Sequence, residues 1–388
     1  MRIPLAAQAD DLLRALSLAT GSDAIGALSG ATILGERAAI NSWRIEVEVS
    51  AGGGCRLYRA ADDVAALNLA RDDDRALLPA LFEQDVDANS EVAIAALMAT
   101  ADAADLVARA RMLGLAAARE NEDLPASTPG ALMAKGAHVA PPTKHAPVIV
   151  DFSALWAGPL ASHLMYLAGA EVIKVESTRR LDGMRDGDKD FFALLNQGKA
   201  SVALDFTSSA DRAALRALLR RADIVIEASR PRALRNLGLD ADALVREQPG
   251  LVWLTITAHG ATGESADWVG FGDDCGVAAG LSAALRDASG VSGFVGDAIA
   301  DPLTGLNATL IGWNAWRAGA GGRYDISLRA SAQAALAQAR RDDPNTLDTS
   351  LKAWAGARSA LFPDVPRRAV AAPLAAPGAD NVRLLASC

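Results

Sequence analysis

Residues 148–159 read VIVDFSALWAGP, and residues 170–176 read AEVIKVE. Each contains a short apolar run rich in β-branched residues, the mark of a strand buried on both faces. Between the runs, Pro159–Leu167 has helical periodicity, and Ala168-Gly169-Ala170 supplies the turn into the second strand, Glu171–Glu176. The alternation continues downstream. It predicts strands at Ser201–Leu204, Ile224–Ile226, Val252–Ile256 and Tyr324–Leu328, with helices at Ser209–Arg221 and Leu239–Glu247. Such a rhythm defines an α/β protein with a doubly wound, mostly parallel sheet. These sheets bind ligands beyond the carboxyl ends of their strands, which directs attention to Asp151–Trp156, Glu176–Arg180, Glu227–Arg232 and Thr257–Gly260.

Upstream the pattern changes. Residues 120–147 carry Pro125, Pro129, Pro141, Pro142 and Pro147 among Ser, Thr, Gly and Lys, and read as a linker. Before it come strand candidates at Ile45–Val49, Cys55–Arg59 and Val64–Leu69, then helices near Arg75–Phe82, Ser90–Thr100 and Ala103–Leu113. The expected division is a small α+β domain over 1–119, the linker, a large domain over 148–335, and a C-terminal helix and tail over 336–388.

The 388 residues are 51% hydrophobic and 22% charged, which suits a globular protein of two domains. A net charge of −9 leaves no basic footprint for nucleic acid or anionic lipid. No apolar run reaches membrane-spanning length, and Met1-Arg2-Ile3-Pro4 has no signal-peptide pattern. Cys55, Cys275 and Cys388 are odd in number and lack a CxxC spacing, pointing to a reducing compartment. The expectation is a cytoplasmic protein. No His or Cys pair has metal-ligand spacing, so no metal is expected.

Local chemistry gathers in residues 296–306, GDAIADPLTGL. Asp301 is expected at a helix N-cap with Pro302 in the first helical position, where a missing N–H costs nothing. Capping alone accounts for an aspartate there; equally, the helix dipole would hold its carboxylate ionised beside a ligand. Gly52-Gly53-Gly54 is either a flexible hairpin or a lid whose N–H groups meet an oxyanion. Of the four histidines, His259 alone follows a predicted strand in a position for acid–base work. Arg179, Arg180, Arg230, Arg232 and Arg235 gather at predicted strand or loop ends, where solvation and phosphate binding both favour arginine. No GxGxxG follows the first strand, which disfavours a dinucleotide domain.

Taken in order, VIVDFSALWAGP, AEVIKVE, KASVAL (199–204), residues 222–239, Pro249–Thr257, ADPLTGL (300–306) and Gly322–Leu328 resemble the class III CoA-transferases, the CaiB/BaiF family. Residues 376–381, APGADN, resemble the family's closing segment, and SAGGGCRLYR (50–59) resembles the glycine loop of its small domain. In ordinary members the small domain follows the large one; here it comes first.

The resemblance implies a Rossmann-like large domain and transfer of CoA from an acyl-CoA to a carboxylic acid. It places the nucleophile on Asp301, with Asp297 second, and the glycine loop's catalytic role on Gly53 and Gly54. It places CoA contacts on Ala154, Leu155, Trp156, Arg179, Leu204, Ala228, Ser229 and Arg230. CoA is then a moiety of the substrate, with no permanently bound cofactor. The family also implies a homodimer, interlocked in ordinary members. The alternatives are an α-methylacyl-CoA racemase and a catalytically silent CoA-binding homologue. Family racemases carry His and Asp where this chain has Phe271 and Gly272.

Overall fold

The computed structural model describes all residues except 126–127, 144–145, 230–233, 236 and 386–388. In chain order the strands are β1 (Cys55–Arg59), β2 (Val64–Asn68), β3 (Ala116–Arg119), β4 (Ala131–His138), β5 (Val148–Asp151), β6 (Glu171–Ser177), β7 (Ala200–Leu204), β8 (Ile224–Glu227), β9 (Val252–Thr257) and β10 (Ala320–Ser327). Seven form one sheet in the order β4-β10-β9-β8-β5-β6-β7. From β5 the chain winds outward through β6 and β7, then returns to β5's other side and winds outward through β8, β9 and β10. All six pair in parallel, and the winding reverses between β5 and β8. That reversal opens a crevice at the carboxyl ends of these two strands. The doubly wound expectation is met, because both faces of these strands bury Val, Ile and Leu.

The expected linker departs from its reading. Residues 131–138 form β4, which pairs antiparallel with β10 at the sheet edge. Prolines on either side do not interfere, because an edge strand needs a partner on one side alone.

The expected small domain also divides. Strands β1, β2 and β3 make an antiparallel sheet, and helices Leu78–Phe82, Glu91–Met98 and Ala103–Met112 cover one of its faces. The other face, with Cys55, Leu57, Ala66 and Ala118, packs on Val277, Ala278 and Phe294 of the large unit. Residues before β1 belong elsewhere. Helices Ala6–Thr20 and Gly30–Ile40 share one hydrophobic core with Leu160, Leu303 and Trp313. Ile45–Val49 is no strand: its backbone bridges Ser359–Ala360 on one side and β1 on the other through isolated pairs.

Residues 363–385 fold back over the large unit. Glu36, fully buried on the Gly30–Ile40 helix, is gripped by Arg368 through Nε and Nη2. Asn381 donates to the Ala203 carbonyl and accepts from the Ala203 N–H, and Asp380 does the same for Ser201. These bonds close the free edge of β7, which would otherwise offer unpaired backbone groups to another chain.

Candidate active site

Helix Ala300–Arg317 runs alongside helix Ala157–Leu167, the first element after β5. A Cβ on Gly305 would lie 2.9 Å from the Ala157 carbonyl, so glycine permits this close approach. The contact brings the N-terminus of the long helix to the carboxyl edge of the sheet.

Asp301 is not the N-cap. The helix begins at Ala300 with Ile299 as cap, making Asp301 the second helical residue and Pro302 the third. The cause lies in Ala298, whose φ of 39° is left-handed and whose carbonyl accepts the Asp301 N–H at 2.8 Å. The turn thus closes one residue early. Pro302 still costs nothing, because first-turn N–H groups have no intrahelical acceptor.

Four carboxyls and one guanidinium meet here. Asp297 is fully buried and takes Nε and Nη2 of Arg37 in a bidentate pair, the Nε contact at 2.9 Å. Asp273 Oδ1 accepts the Ala298 N–H at 3.0 Å and so pins the strained turn. Asp274 Oδ1 accepts from Phe271 N–H and from Asn68 Nδ2, each at 3.0 Å. Asp301 is half-buried and accepts the Gly272 N–H.

Burial pushes the Asp301 carboxyl up to about 7, against the pull of Arg37 and with the repulsion of Asp274 and Asp297. Asp273 is likewise raised to about 7 by burial and by Asp297, and Asp274 to about 6 by burial. Burial works against the charge on Arg37, yet Asp297 holds it above arginine's ordinary value. Asp301 therefore holds its proton more readily than an ordinary aspartate.

The residues expected to meet CoA divide by place. Ala154 and Leu155 are exposed beyond β5, and Ala228 is exposed with half-buried Ser229 beyond β8, on the two sides of the crevice. Leu155 holds a left-handed φ of 68°, and its N–H donates to Asp182. Trp156 is buried, its ring 4.4 Å from the Arg37 guanidinium carbon and edge-on to Phe191. Arg179 is exposed and bound to Asp205 and Thr207. Leu204 is 2% exposed and lies in the core, and its carbonyl accepts the Thr178 N–H, so it is closed to a ligand. Arg230 and Arg232 lie outside the described residues.

Gly53 has φ 77° in the turn before β1, and its N–H donates to Ser50. That donor is thus occupied within its own turn. A Cβ on Gly54 would lie 3.6 Å from Asn68 Oδ1, and one on Gly52 would lie 3.5 Å from Trp43. Asn68 in turn holds Asp274, and Trp43 lies 5.2 Å from the Arg37 guanidinium carbon. The glycine loop is thereby tied to the acidic cluster through two neighbours.

His259 is buried, and burial lowers it to about 3, leaving a neutral imidazole. Its Nε2 lies 3.9 Å from Cys275 Sγ, itself 3.8 Å from Asp274 Oδ2. Spacing along the chain does not reveal this trio, whose ligand atoms lie within 4.8 Å of one another. Arg111 and Arg329 both press positive charge on His259, which opposes a metal cation there.

Sequence reading missed a buried ionic network under the crevice. Lys174 Nζ donates to the Ser153 carbonyl and to Asp182, and Lys199 Nζ to Asp151, Ser162, Asn196 and the Pro159 carbonyl. These bonds set the 151–156 turn. The available signal was a lysine inside the apolar run of β6, where a buried charge requires a partner.

Gly272 makes a direct test of this geometry. A Cβ there would lie 2.3 Å from both the Ala298 carbonyl oxygen and Asp301 Oδ2. Gly272→Ala should lose about 1–3 kcal/mol in denaturant unfolding and displace Asp301. Gly183→Ala, where a Cβ meets nothing within 4 Å, should stay within about 0.5 kcal/mol of the parent.

Fold and site together define a doubly wound α/β protein that presents a half-buried aspartate at a helix start, on the ligand-binding edge of its sheet. The profile of CoA-transferase family III matches residues 147–357, and the chain belongs to that family. It is 31% identical over 208 residues to succinate–glutarate CoA-transferase of Agrobacterium fabrum, covering 49% of this chain and 52% of that one. A probable fatty acyl-CoA transferase of Mycobacterium tuberculosis, Rv3272, is 36% identical over 30% of this chain and 31% of its own. Succinyl-CoA–D-citramalate CoA-transferase of Chloroflexus aurantiacus is 29% identical over 46% of this chain and 48% of its own. The chain spans about half the length of the first of these relatives or less. A crystal structure of the M. tuberculosis protein aligns over 53% of this chain and 61% of that one, with a TM-score of 0.46 and 27% identity.

Proposed function

We propose that this chain transfers coenzyme A from an acyl-CoA to a carboxylic acid through a covalent intermediate on Asp301. One observation carries the reading: within the family-matched segment, a half-buried aspartate stands in the first turn of a long helix with a backbone N–H on its carboxylate. The helix dipole and that N–H favour the ionised nucleophile. An Asp301 oxygen attacks the thioester carbonyl, and the C–S bond breaks with its electron pair leaving on the CoA thiolate. The thiolate then attacks the aspartyl carbonyl of the mixed anhydride, releasing the first acid as carboxylate and leaving an aspartyl-CoA thioester. The acceptor carboxylate reverses both steps. No net proton is consumed. Covalent catalysis of this kind splits one difficult exchange into easier stages.

The exposed Ala154–Leu155 turn and Ala228–Ser229, across the crevice, are the proposed CoA contacts, and the glycine loop is the proposed cover. With the Gly53 N–H engaged, the loop must move before that group meets an oxyanion. Racemisation gains no support from His259, which is buried and neutral. The homodimer and the reducing, cytoplasmic setting belong to the same proposal. Among the described residues no helix is long and apolar enough to cross a membrane.

Intact-mass and peptide mass spectrometry after mixing the protein with acetyl-CoA tests this. A CoA adduct on the Asp301 peptide, removed by borohydride reduction, is expected. Transfer between acetyl-CoA and added acids with no adduct at Asp301 would sink the assignment.

A further inference from the structure

The first turn of helix Gly272–Ala278 meets the start of the Asp301 helix at two adjacent residues. The Gly272 N–H donates to the Asp301 carboxylate, and the Asp273 carboxylate accepts the Ala298 N–H at 3.0 Å. One contact holds the reacting side chain, and the next holds the backbone that leads into its helix. Ala298 needs holding. Its φ of 39° is a left-handed conformation that is costly for any residue with a Cβ, and it places the Ala298 carbonyl 2.8 Å from the Asp301 N–H. With an ordinary negative φ at 298 that carbonyl would swing away, and Asp301 would revert to the cap position its sequence favours.

A carboxylate in the first turn of a helix is favoured in any protein, so position alone assigns Asp273 nothing. Its bond does. Among the described residues, the Ala298 N–H is the one hydrogen-bond partner of the Asp273 side chain. Ala298 is 4% exposed, so without Asp273 its N–H is stranded away from water. Asp273 stands in the wall of a small cavity whose other side chains are Val277, Leu281, Phe294, Val295 and Ile299. A water there would find too few polar partners to stand in for the carboxylate, and the apolar walls strengthen the existing bond.

We propose that Asp273 is a positioning residue for the reaction: by keeping Ala298 left-handed, it aims the Asp301 carboxylate at the thioester carbonyl. The proposal rests on the CoA-transfer reading and adds a residue to its machinery. Asp273 touches no reacting atom. It acts through Ala298, and it spares the nucleophile a search for the productive orientation, whose loss costs about 100-fold in rate when a group is misplaced by about an ångström.

Trapping the Asp301 adduct in a single turnover with acetyl-CoA reads the chemical step, and calorimetry with free CoA reads binding. Asp273→Ala should form the adduct about 100-fold more slowly than the wild type, with CoA affinity within about twofold. Asp273→Asn keeps an acceptor for the Ala298 N–H and discards the charge; it should react at least about tenfold faster than Asp273→Ala. Ala298→Gly removes the Cβ that makes the turn costly, so adding it to Asp273→Ala should recover about tenfold as well. Denaturant unfolding should show Asp273→Ala destabilising less in the Ala298→Gly background than in the wild type. If Asp273→Ala fails to fold, Ala298→Val approaches the turn from its other side: with Asp273 intact, a β-branched residue resists a positive φ, and adduct formation should slow comparably. Undiminished adduct formation by Asp273→Ala, or by Ala298→Val, beside a wild type that transfers CoA would overturn this role alone. An Asp273→Asn variant as slow as Asp273→Ala would overturn it too, because the charge of the carboxylate and not its bond would then be the cause. A wild type that forms no adduct and transfers to no acid would bring down the CoA-transfer reading and this role with it.

Discussion

Asp301→Asn should lower CoA transfer on the order of 10³-fold or more, because removing a covalent nucleophile closes the pathway instead of slowing one step. The fold should survive. Asp301 is not the helix cap, and an asparagine oxygen still accepts the Gly272 N–H. In the wild type, kcat/KM should rise with pH as the Asp301 carboxyl ionises through about 7, then level off. Stability should run the other way. The folded state holds a proton that the unfolded chain releases at an ordinary carboxyl pKa, so this group's contribution declines as pH climbs toward about 7. Asp301→Asn escapes that decline, so its Tm should gain on the wild type between about pH 4 and about pH 7. A pH–rate profile and paired melting curves check both directions. Full transfer by the asparagine variant would remove Asp301 from the chemistry.

Arg368→Ala should cost about 3–5 kcal/mol, because it strands the buried Glu36 carboxylate without its partner. Side-chain exposure is 7% for Arg368 and 0% for Glu36, so water cannot replace the lost bonds. The loss should also loosen residues 363–380, which Gln197 otherwise holds through the Ala369 carbonyl and the Ala371 and Ala372 N–H groups. Denaturant unfolding gives the magnitude, and limited proteolysis should show new cleavage in the tail. A loss under about 1 kcal/mol would mean that the pair is far more solvated than its burial implies.

Much of the fold was legible because its signals are local. β-Branched runs bounded by Gly and Asp turns mark β5, β6, β8 and β9 within a residue or two. β4 was hidden, since an exposed edge strand reading ALMAKGAH has no buried face to impose a pattern. The helices Ala6–Thr20 and Gly30–Ile40 are readable as helices, yet their affiliation with the large unit depends on contacts across hundreds of residues. The N-cap placement of Asp301 failed for one reason: a left-handed alanine at 298 closed the turn early, and alanine carries no signature of that conformation.

The candidate site shows the same division. Asp301, the turn at 154–156 and the glycines at 52–54 could be singled out as candidates because each sits in a short motif. Arg37, Asn68, Asp273 and Asp274 were not found as a group, and Leu204 proved to be core. By itself, the sequence determined the order of strands and helices and the element end that carries Asp301, because hydrophobic period and turn chemistry act over a few residues. Tertiary structure alone decided that Arg37 pairs with Asp297, 260 residues away, and that Asp273 and Asp301 share its field. Charge interactions depend on distance and burial in space, and neither is written in local spacing.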